Sequence, residues 1–168
     1  IAGLALVLWV KAAYGDRAAE IWEGLSPRIL TVTKGWSEAY GLFTDGEAPM
    51  VLSFTTSPAY HIAAEGDLTK KAAIFDEGHY AFFELTAKVA GTDQPELADA
   101  FMAFTLSEAF QSAIPETNWS FPAALERSAW PQVFQDLPEP ATAIFLSEDE
   151  SAALRDEAIE EWRRALSQ

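Results

Sequence analysis

Three consecutive hydroxyl residues, Thr55-Thr56-Ser57, stand directly before Pro58. Ser57 suits a helix N-cap and Pro58 the first helical position, where its missing N–H costs nothing. The hydroxyls and the free N–H groups of such a helix start can hold a phosphate, a carboxylate or a polar ring edge. Plain helix capping accounts for the same residues. A second set is aromatic: Phe54 before the hydroxyl loop, Tyr60 just after it, Trp36 at the start of another predicted helix, and Trp119 in a proline-bounded loop. Aromatic faces attract quaternary or delocalised cations by roughly 0.5–2 kcal/mol per contact, although core packing is the usual fate of such rings.

Other chemistries find less support. His61 and His79 are the only histidines, and neither falls in a His-x-x-x-His or Glu-x-x-His pattern. A metal site would have to recruit carboxylates without a spacing signature. No Gly-x-Ser-x-Gly elbow, Walker-type loop or dinucleotide glycine loop is present. With no cysteine, these residues hold no disulfide, thiolate metal site or cysteine nucleophile. Glu160-Glu161 reads as the solvated face of a helix. No catalytic residue, metal ligand or cofactor is therefore assigned. The formal charge of -15 repels nucleic acid and anionic lipid and favours a cationic ligand, while also serving plain solubility.

The elements that must position these groups follow from periodicity and punctuation. Helices are predicted over Leu4 to Tyr14, Ala18 to Leu25, Gly35 to Phe43, Ala59 to Ala64, Gln94 to Thr105 and Ser107 to Ala113. A last helix over Glu148 to Leu166 opens with a Ser147/Glu150 capping box and carries Leu154, Ala158, Trp162 and Leu166 as its apolar stripe. Strands are predicted over Ile29 to Val32, Met50 to Phe54, Ala72 to Phe75 and Ala81 to Val89. Residues 115 to 147 are rich in proline and turn residues. This alternation predicts an α/β architecture with a mixed or parallel sheet, whose ligand crevice lies beyond the carboxyl ends of strands, where Thr55-Thr56-Ser57 falls. The longest apolar run, Ile1 to Val10, is about half the roughly 20 residues a membrane-spanning helix needs. Opening at Ile1-Ala2-Gly3 without Met or a signal peptide, the sequence predicts a processed or truncated product.

Longer strings carry a resemblance. Leu8-Trp9-Val10-Lys11, Thr31-Val32-Thr33-Lys34-Gly35-Trp36-Ser37-Glu38-Ala39-Tyr40-Gly41-Leu42-Phe43 and Ser53-Phe54-Thr55-Thr56-Ser57-Pro58-Ala59-Tyr60-His61 resemble the thiamine-binding periplasmic proteins of bacterial ABC importers. So do Glu77-Gly78-His79-Tyr80, Gln94-Pro95-Glu96-Leu97-Ala98 and Ala109-Phe110-Gln111-Ser112-Ala113-Ile114-Pro115, with Asn118-Trp119 soon after. The match runs in order from residue 1 to about 122. It implies a type II periplasmic binding protein fold, here one lobe plus the carboxyl-terminal elements of the other. Residues 1–78 would line the ligand cleft as part of the second lobe. Residues 79–168 would supply hinge-returning strands and carboxyl-terminal helices packing on an absent first lobe.

The resemblance also implies the ligand, thiamine or its mono- or diphosphate, and delivery to a membrane permease from the periplasm, with no bond made or broken. Trp36 and Tyr60 resemble the pair flanking the thiamine rings, Trp119 a further aromatic wall, and Thr55, Thr56 and Ser57 the polar strand-end contacts. Phe54 departs from the family pattern, which has Tyr there; the ring face is kept and a hydroxyl is lost. Two other uses of this fold compete: a carrier for a polyamine or ferric iron, and a thiaminase. Polyamine sites rely on several carboxylates and iron sites on tandem tyrosines, which are absent here. A thiaminase needs a cysteine, and that residue would belong to the half not in view.

Overall fold

A computed structural model describes residues 2–167; Ile1, the start of the predicted apolar run, lies outside them. The described residues form two units. One comprises the chain up to Ser53, Ile74–Phe82 and the chain from Pro140; the other comprises Phe54–Ala73 and Phe83–Glu139. Each unit thus draws on residues from both sides of position 78.

The first unit is built on three helices: α1 (Ala2–Tyr14), α2 (Ala18–Leu25) and the carboxyl-terminal α9 (Glu148–Leu166). α9 packs against both α1 and α2. Its start is set locally, because Ser147 Oγ accepts from the Glu150 N–H while Glu150 reaches back to the Ser147 N–H at 2.8 Å, a complete capping box. Three acids in its first turn and Arg163 and Arg164 in its last both complement the helix dipole. Val7, Val10, Ala18, Trp22, Ala158 and Ala165 form the core here, with Trp162 packed against it. Leu154 and Leu166, at the ends of the expected stripe, are half-buried.

Lys11 sits beside that core at 6% exposure, with its ammonium 2.8 Å from Glu157 and 2.7 Å from Glu161 on α9. Burial works against its charge, but the hydrogen bonds to Glu157 and Glu161 outweigh it and hold the pKa above its usual value. α3 (Trp36–Thr44) follows Gly35, whose carbonyl accepts from Thr33 Oγ1 at 2.7 Å.

The second unit carries α4 (Ser57–Tyr60), which runs into a π-helical turn over His61–Glu65 and ends at left-handed Gly66. It continues through α5 (Pro95–Thr105), α6 (Glu108–Gln111), α7 (Ile114–Thr117) and α8 (Gln132–Gln135). Ser107 caps α6 through its side chain. The buried Gln111 ties this stretch together, donating to the Thr105 carbonyl at 2.7 Å and accepting from the Ala124 N–H at 3.0 Å. Ala59, Phe134 and Leu137 are the buried core, with Trp119, Phe121, Trp130 and Val133 packed on it.

The helices appear where periodicity placed them, but the strands do not. Among the described residues the one ladder pairs β1 (His79–Tyr80) with β2 (Ala143–Ile144) in parallel, His79 opposite Ala143 and Tyr80 opposite Ile144. Residues 29–32, 50–54, 72–75 and 81–89 belong to no ladder. β-propensity marks a segment that fits a half-buried pleated surface, whereas a strand exists only with a neighbour to share its N–H and C=O groups. Leu30 (64%), Leu85 (88%) and Val89 (76%) are exposed, so these segments also lack the packed face of a half-buried strand.

The close approach at β1 requires glycine. Gly78 has a φ of +93°, and a Cβ there would meet the Thr142 carbonyl oxygen at 2.8 Å. Its own carbonyl accepts from Trp9 Nε1 at 2.9 Å, and Trp9 lies 5.0 Å from the His79 ring, centroid to centroid. Burial pushes the His79 pKa down, consistent with a neutral ring whose Nε2 accepts from the Phe75 N–H at 3.1 Å. No described helix is long and apolar enough to cross a membrane.

Candidate functional site

Six of the seven residues singled out from the sequence fall in the second unit. The extended chain ends in a tight turn, in which the Ser57 N–H donates to the Phe54 carbonyl at 3.0 Å and the Phe54 N–H donates to Ser57 Oγ at 3.3 Å. Ser57 therefore holds the turn instead of serving as the expected N-cap. Thr56 occupies the cap position without a side-chain cap bond, Ser57 is the first helical residue and Pro58 the second. The Asx/ST-type reach of a hydroxyl to its local backbone competes with capping, and here the turn wins. Thr56 is buried, Thr55 and Ser57 are half-buried, and Phe54 is 45% exposed.

Tyr60 closes the short α4 with its ring 40% exposed. It meets Trp119 edge to face, centroids 5.1 Å apart and planes at 84°. Such a T-shaped pair is a favoured aromatic geometry. Trp119 in turn stacks on Phe134, the fully buried centre of the unit's core, at 6.4 Å and 15°. The aromatic wall is thus anchored from behind.

Trp119 also has a φ of +52°, and no other described non-glycine residue has a positive φ. For a bulky side chain that conformation is costly, and such strain gathers at functional sites because the surrounding structure holds it in place. The neighbours do so here: Asn118 Nδ2 donates to Glu84 Oε2 at 3.0 Å and to Ser120 Oγ at 3.2 Å, and Ser120 Oγ donates to the Asn118 carbonyl. Ser120, Glu84 and Phe134 were not singled out from the sequence, and Asn118 entered only within the family resemblance. Only the proline-bounded loop signalled that something constrained lay there.

Trp36 lies in the first unit, at the first position of α3 and 41% exposed. Its indole Nε1 donates to Ser53 Oγ at 3.2 Å, and its ring lies 4.7 Å from Tyr40, one turn further along the helix. Ser53, quoted in the sequence only as the start of a resemblance string, thus holds the Trp36 indole. A cavity of about 450 Å³ among Pro58, Ile62, Leu68, Lys71, Val133 and Leu137 includes none of the aromatic residues considered above. Its lining is mainly apolar, with Lys70, Lys71 and Asp136 as its charged members.

The second unit thus sets the Tyr60–Trp119 corner beside a hydroxyl-bearing turn, while Trp36 stands in the first unit. The fold is that of a periplasmic binding protein, represented in part. A solved periplasmic thiamin binding protein superposes on all of this chain with a TM-score of 0.92 and 49% identity, over 52% of its own length. The thiamine-binding periplasmic proteins of Escherichia coli K12 and Salmonella typhimurium are 50% and 49% identical to it over 165 residues, and that of Brucella melitensis 47%. These alignments take in 98% of this chain and 50%, 50% and 49% of those proteins. The chain is homologous to thiamine-binding periplasmic proteins and spans about half their length. No protein-family model matches it.

Proposed function

We propose that the chain is the carboxyl-terminal part of a periplasmic solute-binding component that binds thiamine and its phosphate esters and hands them to an ABC importer permease. The observation that carries this reading is the Tyr60–Trp119 pair, an exposed aromatic corner anchored on Phe134 and set beside a hydroxyl-bearing turn. A thiazolium cation stacks on such faces, and each contact is worth roughly 0.5–2 kcal/mol. The family resemblance adds Trp36 as a further ring contact and Phe54, Thr55, Thr56 and Ser57 as edge contacts. Phosphate oxygens meet hydroxyls and helix-start N–H groups. Nothing is made or broken in this cycle; lobe closure presents the loaded carrier to its permease. The relatives' names support both the ligand and the periplasmic location.

In the complete protein, Trp36→Ala and Tyr60→Ala each weaken thiamine binding by at least roughly tenfold, the loss of one strong aromatic contact. Calorimetric titration reads this directly. Unchanged affinity in both variants removes the site assignment. Spermidine and ferric citrate in the same titration series give no heat of binding if the ligand class is right, and aniline with thiamine yields no free thiazole if the protein is a carrier.

A further inference from the structure

His61-Ile62-Ala63-Ala64-Glu65-Gly66-Asp67 is a stretch that folds back on itself. The π-helical turn over His61–Glu65 widens the helix, and Gly66, at φ +67°, reverses the chain so that the Asp67 N–H donates to the His61 carbonyl at 2.9 Å. Wide turns of this kind recur at functional sites. Here the result is a convergence of donors. His61 Nδ1 lies 2.6 Å from Glu65 Oε2, and one potential ligand atom from each of His61, Glu65 and Asp67 lies within 4.8 Å of the others.

We propose that His61, Glu65 and Asp67 form a binding site for a divalent transition metal, with zinc the ion best suited to the donor set. One imidazole nitrogen and two carboxylates are ligands zinc accepts at about 2.0–2.2 Å, leaving a fourth position for water. Donors on one such ion stand roughly 3–4 Å from each other, so binding requires the carboxylates to adjust, with Glu65 moving away from the imidazole. That movement is open to it, because Glu65 is 45% exposed while the imidazole is held at 2% exposure. The ring is fixed edge-on against Tyr60 at 5.3 Å. Two carboxylate charges neutralise the ion, and the exposed Glu65 gives it a way in.

His61 and Glu65 stand at i, i+4, a spacing that one pair alone does not distinguish from an ordinary helix-face contact, and Asp67 joins them only through the left-handed turn at Gly66. None of the three contributes to the proposed thiamine site. An ion bound there would stiffen the turn behind Tyr60. The turn also has partners without a metal: Asp67 accepts from the Thr69 N–H at 2.7 Å and lies 3.8 Å from Lys70. The experiment separates the two accounts.

Chelator-stripped protein is titrated with zinc chloride by calorimetry and with cobalt(II) by visible absorption. The expected result is saturable binding of about one ion per chain in the micromolar range or tighter, with a zinc-dependent rise in melting temperature. Glu65→Gln and Asp67→Asn each weaken binding by at least roughly tenfold, whereas Glu160→Gln on α9 leaves it unchanged. Both substituted carboxylates reach solvent, and circular dichroism verifies that the variants remain folded. Absence of saturable binding in the unsubstituted protein overturns the proposal, as does binding that survives both substitutions.

Discussion

Phe54 opens the turn of the proposed site with its backbone in two hydrogen bonds to Ser57 and its ring 45% exposed. Nothing in that geometry demands a phenylalanine. A hydroxyl on the same ring would offer one more polar contact to a bound ligand and leaves the backbone bonds of the turn in place. Phe54→Tyr in the complete protein is therefore expected to tighten binding of thiamine or of one phosphate ester by about two- to tenfold, the value of one net hydrogen bond. Calorimetry across thiamine, its monophosphate and its diphosphate checks this. Equal affinities for all three in both proteins would place Phe54 outside the ligand contacts.

α9 is the element whose role the structure resolves most fully. Its cap is local, but its stability depends on burying Ala158 and Ala165 against α1 and α2 and on the pairing of Lys11 with Glu157 and Glu161. Glu161 is 10% exposed, so deleting Lys11 leaves a mostly buried carboxylate without its cation. Removing one partner of a buried pair costs more than the pair contributes. Lys11→Met is expected to destabilise the protein by about 3 kcal/mol near neutral pH.

The pH dependence has a definite sign. The hydrogen bond from Lys11 lowers the Glu157 pKa, so the stabilisation this gives is complete above the ordinary carboxylate range and is lost as pH falls through the lowered value. The raised Lys11 pKa keeps the ammonium charged throughout that interval. The stability gap between Lys11→Met and the unsubstituted protein accordingly narrows in acid. Denaturant unfolding near neutral pH and again below the carboxylate range measures it, and a gap independent of pH would assign the cost to lost packing alone.

At the scale of the whole molecule, large apolar side chains are left uncovered along the extended segments. Met50 is 69% exposed, Phe83 66% and Leu85 88%, and helix α5 presents Leu97, Phe101 and Phe104 at between 48% and 66%. Exposed apolar surface on this scale marks a place where something else packs. The relatives are about twice as long as this chain, and in the reading proposed above the rest of the cleft comes from a lobe outside it. The isolated 168-residue chain is expected to show little or no affinity for thiamine in calorimetry, while the complete carrier binds. Micromolar binding by the isolated chain would mean that the aromatic corner and hydroxyl turn suffice without the second wall of the cleft.

Much was legible from the residues alone, for reasons of locality. Helix periodicity over Leu4 to Tyr14 and Gln94 to Thr105 and the Ser147/Glu150 cap act within a few residues and need no distant partner. The family resemblance and the aromatic residues that carry it were legible for the same reason, as ordered strings. Strands were not, because Ile29 to Val32 and Ala81 to Val89 have β propensity but become strands only when another segment completes their hydrogen bonds. Only the tertiary structure could put Tyr60 against Trp119, Trp119 on Phe134, and Lys11 between Glu157 and Glu161. Those contacts join residues far apart in the chain, and side-chain type alone cannot specify which partner each will meet. The gathering of His61, Glu65 and Asp67 is the reverse case, local in sequence, with His61 and Glu65 at i, i+4 and Asp67 brought to them by the chain reversal at left-handed Gly66.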